Sequence, residues 1–377
     1  MQSPLALRHA LHTHPELSGH EVDSACRVRE FFRPHEPDAV VGGLGGNGVA
    51  IVFNGREPGP TIMLRSELDA LPIQEANRMP HRSQQDGIAH KCGHDGHAAI
   101  LCAVGAELGR RRPQRGRVVL LFQPAEETGR GALAVVDDPK FAALRPDRVF
   151  GLHNLPGFPL GQVVVRAGTF TCASRGIAVS LRGRTAHAAQ PETGRSPSAA
   201  MCHVIAELAG ARERFGHSGE LAFATIVGAR LGERAFGVAP GTAEVWATLR
   251  AATDDTMAAM VRDCEQRVRA IAGDEQLQVE TGYEDVFAAT VNSARAVATV
   301  RAACKGLDVA EPAEPFRWSE DFGAFTRLAD GAFFGLGAGP DSRALHDEHY
   351  DFPDALIDIG ADVFLRIVAT CLREPAP

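Results

Sequence analysis

No apolar run in this chain approaches the ~20 residues needed to cross a bilayer, and no basic-then-apolar segment opens it. The eight cysteines, Cys26, Cys92, Cys102, Cys172, Cys202, Cys264, Cys304 and Cys371, are scattered, and none forms a C-x-x-C pair. In a chain this long that scatter predicts reduced thiols in a reducing compartment. A cytoplasmic protein without a membrane partner is therefore expected. An excess of basic charge is also missing. The formal net charge is -8, which argues against a nucleic-acid partner. The one local basic run, Arg110 to Arg117, joins a helical stretch to an apolar strand and reads as a solvated turn. There is no convincing internal repeat and no low-complexity tract. What remains is a globular balance: 45% hydrophobic and 23% charged residues over 377 positions. At roughly 150 residues per domain this suggests two or three domains with a sizeable core.

Ligand-type side chains concentrate in one octapeptide, His90-Lys91-Cys92-Gly93-His94-Asp95-Gly96-His97. A thiolate and an imidazole sit two apart at Cys92 and His94, followed by Asp95 and His97. Gly93 and Gly96 let the backbone bend so that several side chains can converge. A borderline-soft cation such as zinc accepts this mixture of sulfur and nitrogen. A plain loop entering a helix, with Cys92 buried as a small hydrophobe, is the competing reading.

Taken in order, residues 3 to 33 read as helical, with Pro15 stopping the first helix near His14 and Glu21 to Phe32 forming a second. His12 and His14 are candidate ligands or helix-end residues. Gly42 to Gly48 fits neither a P-loop nor a dinucleotide fingerprint and leads into a strand, so a hairpin turn is expected. The strand beginning at Pro60 ends in Glu67-Leu68-Asp69, which places carboxylates at a sheet rim, where ligand crevices of open α/β sheets lie. Ala98 to Leu108 reads as a buried helix. Val118 to Phe122 reads as a strand covered on both faces, and it runs into Glu126-Glu127, two adjacent carboxylates that repel unless a cation is present. Another strand, Arg148 to Asn154, delivers His153 to its end. From about residue 170 to 283 the order is βαββαβ, that of a ferredoxin-like sandwich, read as an inserted domain. The chain then returns to helix at Ser293 to Lys305, passes His346, and closes with a helix over Ala355 to Cys371.

Cys92/His94, Glu126/Glu127, His153 and His346 span about 250 positions and outnumber the four ligands of one structural ion. That surplus suits two ions sharing a bridging ligand for hydrolysis. A carboxylate outside the ion set must then move the water's proton, and one of Glu126 and Glu127 can do so.

These segments resemble the M20 family of metal-dependent amidohydrolases and peptidases, in particular its hippurate hydrolase and indole-acetyl-amino-acid hydrolase branch. The matching motifs are Leu11-His12-Thr13-His14-Pro15-Glu16-Leu17, Leu68 to Glu75, Cys92 to His97, Gln123 to Glu127, Gly151-Leu152-His153, His187-Ala188-Ala189, Ser319-Glu320-Asp321-Phe322, and Leu345-His346 with Tyr350-Asp351-Phe352. The resemblance implies an α/β hydrolase domain with a mixed sheet flanked by helices, formed by residues 1–168 and 284–377. Residues 169–283 would be the ferredoxin-like α+β lid, through which the protein would form a homodimer. Cys92, His94, Glu127, His153 and His346 would bind two divalent ions, Mn2+ or Zn2+ with Co2+ or Ni2+ as further options. Glu126 would be general base and acid, Asp69 an orienting residue at the site, and His187 a substrate contact. The expected substrate is an N-acyl amino acid or similar small amide. An aminohydrolase of an unusual amine and a catalytically silent metal-binding homologue are the alternatives. Departures from the branch are Glu67 for Asp, Lys91 for a small or apolar residue, Gln190 and Glu192 for Met and His, and Gly237 for a substrate-holding Asn.

Overall fold

A computed structural model describes residues 2–216 and 220–373. Two compact units divide the chain: Met1–Phe170 with Thr290–Glu314 and Glu320–Pro377, and Thr171–Ala289 with Pro315–Ser319.

The first unit is built on an eight-stranded mixed sheet. The apolar run at Val118 becomes strand Arg115–Gln123, buried on both faces from Val118 onward. It pairs antiparallel with Gly48–Asn54 and parallel with Glu57–Glu67. Glu57–Glu67 pairs parallel with Arg148–Pro156, which pairs parallel with Asp330–Gly339. Four neighbouring parallel strands therefore end at one rim, as expected of strands that carry a ligand crevice. Ala39–Leu44 closes one edge as a hairpin with Gly48–Asn54, and the glycine-rich stretch is its turn. Val163–Val164 and Val309–Ala310 lie at the other edge.

Helices cover this sheet. Ser3 caps Pro4–Thr13 by accepting the Ala6 N–H, and Pro15 follows the helix end closely. Val22–Phe32 and Leu356–Arg373 pack with it against the alanine-rich helix His94–Arg110. Leu101, Val104, Phe32, Leu120, Phe364 and Ile367 belong to one buried apolar cluster.

The second unit is a four-stranded antiparallel sheet ordered Ala222–Leu231, Thr242–Ala251, Ala173–Arg182, Gln278–Phe287. Helix Asp254–Asp274 buries Met257, Met260, Val261, Cys264 and Val268, one stripe at helical spacing. The expected helix from Pro197 to Arg212 is two pieces, Ser198–Ala209 and Ala211–Phe215, separated at Gly210. Pro315–Ser319 joins this unit: the Cys172 N–H donates to the Phe316 and Trp318 carbonyls, and Arg250 donates to the Arg317 carbonyl.

Candidate metal centre

Gly93 and Gly96 fix how helix His94–Arg110 begins. Gly93 has φ +94, and a Cβ there would lie 2.3 Å from Asn154 Oδ1. A Cβ on Gly96 would enter the Phe352 ring at 2.4 Å. Only glycine permits this close approach, and it brings Cys92 and His94 to the rim where the parallel strands end.

Cys92, His94 and His153 present ligand atoms within 4.8 Å of one another, and so do Cys92, Glu127 and His346. His94, Glu126 and Glu127 form a third such group. Cys92 is common to two groups and lies 3.4 Å from His153 Nε2. Each buried imidazole is held from behind. His94 Nδ1 donates to the Asp69 carbonyl at 2.9 Å, and His153 Nδ1 donates to the Asn154 carbonyl at 2.9 Å. Such bonds fix ring orientation and tautomer, leaving Nε2 toward the cluster. Asp69 also accepts the Glu127 N–H at 2.9 Å and the Ser18 hydroxyl at 2.7 Å.

Two non-glycine residues at the site have left-handed backbone: Ala125, φ 53, immediately before Glu126, and His346, φ 65. Sparsely populated backbone of this kind concentrates at functional sites. The His346 side chain is about half exposed and stands 4.0 Å from Glu127.

The donor set fits divalent cations. Buried atoms His94 Nε2, Glu127 Oε1 and Asp69 Oδ1 have no hydrogen-bond partner among the described residues. Burial and Asp69 push the Glu127 carboxyl up to about 7. Burial, Glu320 and Glu127 hold Glu126 well above the usual carboxylate range. Burial and Glu127 raise the Cys92 thiol well above its ordinary value. Burial lowers His153 and His346, His97 adding to the first and His94 to the second. His94 is raised despite burial, through Cys92 and Asp69. Raised proton affinities gathered at one point mark a local shortage of positive charge, which a cation would supply.

Several side chains were not legible as parts of this site. Arg65, fully buried, donates from Nη2 to Asp321 at 2.6 Å and from Nε to Gln123 at 2.8 Å, and lies 2.9 Å from Glu320. Glu126, Glu320 and Asp321 cluster on that side. For Glu320 and Asp321 the Ser319-Glu320-Asp321-Phe322 motif is the only sequence signal. Glu67 accepts from His97 Nδ1 at 2.7 Å and is ion-paired with Arg65. His12 does not join the ligand groups. It bonds Asp95 at 2.9 Å and Glu75 at 3.2 Å beside the buried Arg8.

His187 lies in the second unit, exposed, on the short strand Ala186–His187 paired with Val238–Ala239. Gln190 and Glu192 follow it, also exposed. A Cβ at Gly237 would meet nothing within 4 Å, so packing does not demand glycine there. No helix among the described residues is long and apolar enough to cross a membrane.

Comparison with known proteins agrees with this geometry. The description Peptidase family M20/M25/M40 matches residues 63–370. An N-acetylcysteine deacetylase of Bacillus subtilis is 28% identical, over 97% of this chain and 96% of its own. The hippurate hydrolase of Campylobacter jejuni is also 28% identical, with 97% and 96% covered. The crystal structure of a dinuclear metal binding peptidase of the M20 family from Bacillus subtilis superposes with a TM-score of 0.83 at 25% identity, covering 98% of this chain and 97% of that one. This chain belongs to peptidase family M20/M25/M40 and is a metal-dependent hydrolase acting on carbon–nitrogen bonds.

Proposed function

We propose that the protein is a two-metal amidohydrolase that cleaves an N-acyl amino acid or a similar small amide. The observation carrying this reading is the sharing of Cys92 between two ligand groups, with Glu126 beside them but outside both. Cys92, His94, Glu127, His153 and His346 would hold the ions. When bound, the two divalent ions supply Lewis acidity toward the amide carbonyl and acidify a water molecule.

This chain's residues do the rest. Glu126 takes a proton from the water and passes it to the leaving nitrogen, and its elevated proton affinity suits a group that must hold that proton in transit. Asp69 keeps His94 in one tautomer and pins the Glu127 main chain. Arg65 offsets the charge of Glu320 and Asp321 next to Glu126. The second unit would serve as lid and dimerisation unit, with His187 contacting substrate. The deacetylase and hippurate hydrolase relatives act, by their names, on small N-acyl compounds, which supports the same substrate class here.

The test is a screen of metal-reconstituted protein against N-acyl amino acids, dipeptides and aromatic amines. Release of an amino acid, abolished by a chelator, is expected. Ammonia release from an amine would establish an aminohydrolase instead. No turnover of any class by fully loaded protein would indicate a catalytically silent homologue.

A further inference from the structure

Lys91 carries a charge with no exposed surface at all. Its Nζ donates to Glu75 Oε1 at 2.6 Å and to the Tyr350 carbonyl at 2.8 Å. Its own carbonyl accepts the His346 N–H at 2.8 Å. One residue thus grips the segment from His346 to Tyr350 at both ends, by main chain and by side chain, while being covalently joined to Cys92. The Tyr350 hydroxyl in turn accepts from Asn154 Nδ2 at 2.7 Å, next to His153.

His346 needs such a grip. Its left-handed backbone, φ 65, is unfavourable for a residue with a side chain and persists only where the surroundings over-determine it. Its half-exposed imidazole is not packed into place, so the main chain must aim it. Glu75 makes the buried ammonium tolerable and is itself anchored by the Ser83 N–H at 2.7 Å and by His12. A buried ion pair contributes little net stability compared with an apolar pair of the same shape; its best-attested use is fixing register. Positioning therefore accounts for a lysine here better than stability does.

We propose that Lys91 is a positioning residue that sets the spacing of Cys92 and His346, and through it the affinity of the ion these two would hold with Glu127. The proposal rests on the two-metal reading above. Lys91→Met keeps the stem and loses both Nζ bonds. Glu75→Gln removes the acid partner and leaves the Tyr350 bond in place.

The experiment is calorimetric metal titration of the apo forms, with Tm measured on the same samples. In Lys91→Met, one of two binding steps should weaken about 10–100-fold, as when an outer partner of a metal ligand is lost, while the other holds. In Glu75→Gln both steps should hold even as Tm falls. Lys91→Arg, which keeps donors toward Tyr350, should recover much of the lost affinity. If Lys91→Met does not fold, Lys91→Met with Glu75→Gln removes the charge left without its ammonium and carries the same comparison. Two tight ions in both wild type and Lys91→Met overturn the proposal alone. Equal weakening of both steps in every variant, in step with Tm, also overturns it. A wild-type chain that takes up no ion sinks the two-metal reading and this proposal with it.

Discussion

The Glu127 N–H donates to the Asp69 carboxylate at 2.9 Å, so a ligand-type residue is held through its main chain by an acid 58 positions earlier. Asp69 also holds His94 through its carbonyl. Asp69→Asn keeps the side-chain shape but removes the charge that two donors now share. Losing such an outer partner typically costs 10–100-fold in metal affinity or activity, and a loss of about that order is expected here. Metal titration of the variant checks it; unchanged affinity and turnover would leave Asp69 a structural residue.

Glu126 and Glu127 are separated by experiment rather than by charge. Glu126→Gln keeps the shape but cannot carry a proton, so kcat should fall by at least ~10²–10⁴-fold with both ions bound. Glu127→Gln should lose metal and regain part of its activity at high metal concentration. Elemental analysis beside kinetics distinguishes them. The reverse pattern would swap the two roles, and an active, fully loaded Glu126→Gln would refute the general-base mechanism.

In the apo protein the stability contributed by Glu127, Glu126 and His94 should be lost as pH rises from about 5 to about 7.5, while His90, His153 and His346, all lowered and neutral with or without metal, act in the opposite direction. Glu127 titrates at about 7 in the fold against an ordinary value of 4.5. Between those values Glu127 holds more proton in the folded chain than in the unfolded one, so its contribution to stability falls with rising pH. Glu126, also raised, acts in the same direction. His94, raised above 6.5, contributes stability that is full below its unfolded value and is lost toward higher pH. Glu75, lowered to about 2, contributes above its unfolded value and is constant over this window. Bound metal removes the mismatch, so the gap in Tm between holo and apo forms should widen across the window. A constant gap would contradict the charge-shortage account of the site.

His187→Ala should lower turnover strongly while leaving metal content unchanged, because the residue is exposed and lies in the unit that lacks the ligand groups. Wild-type turnover in that variant would remove His187 from the mechanism.

Sequence made the ligand-type residues legible because each lies in a short motif or at the end of an apolar run. Cys92 and His94 are two positions apart, and Glu126 follows a continuous buried strand. Of the supports behind them, Asp69 was named through the family resemblance and the others were not legible. Lys91 meets Tyr350 across 259 positions and Arg65 meets Asp321 across 256, and no local periodicity encodes a pairing at that range. In the sequence Lys91 shows only as a departure from a small or apolar residue, and the fold buries it completely. The mixed sheet was implied by the family resemblance and the four-stranded unit by its βαββαβ order, whereas Pro315–Ser319 has no such pattern and is held by the Cys172 main chain and the Arg250 side chain.

The left-handed Ala125 has a consequence for how this protein can change. Glycine at that position would relieve about 1–2 kcal/mol of steric cost, so any selection for thermal robustness alone would favour it. Glycine would also widen the set of directions open to the peptide that carries Glu126. Alanine confines that peptide to fewer directions at the expense of the fold, so durability and aim pull this single position opposite ways.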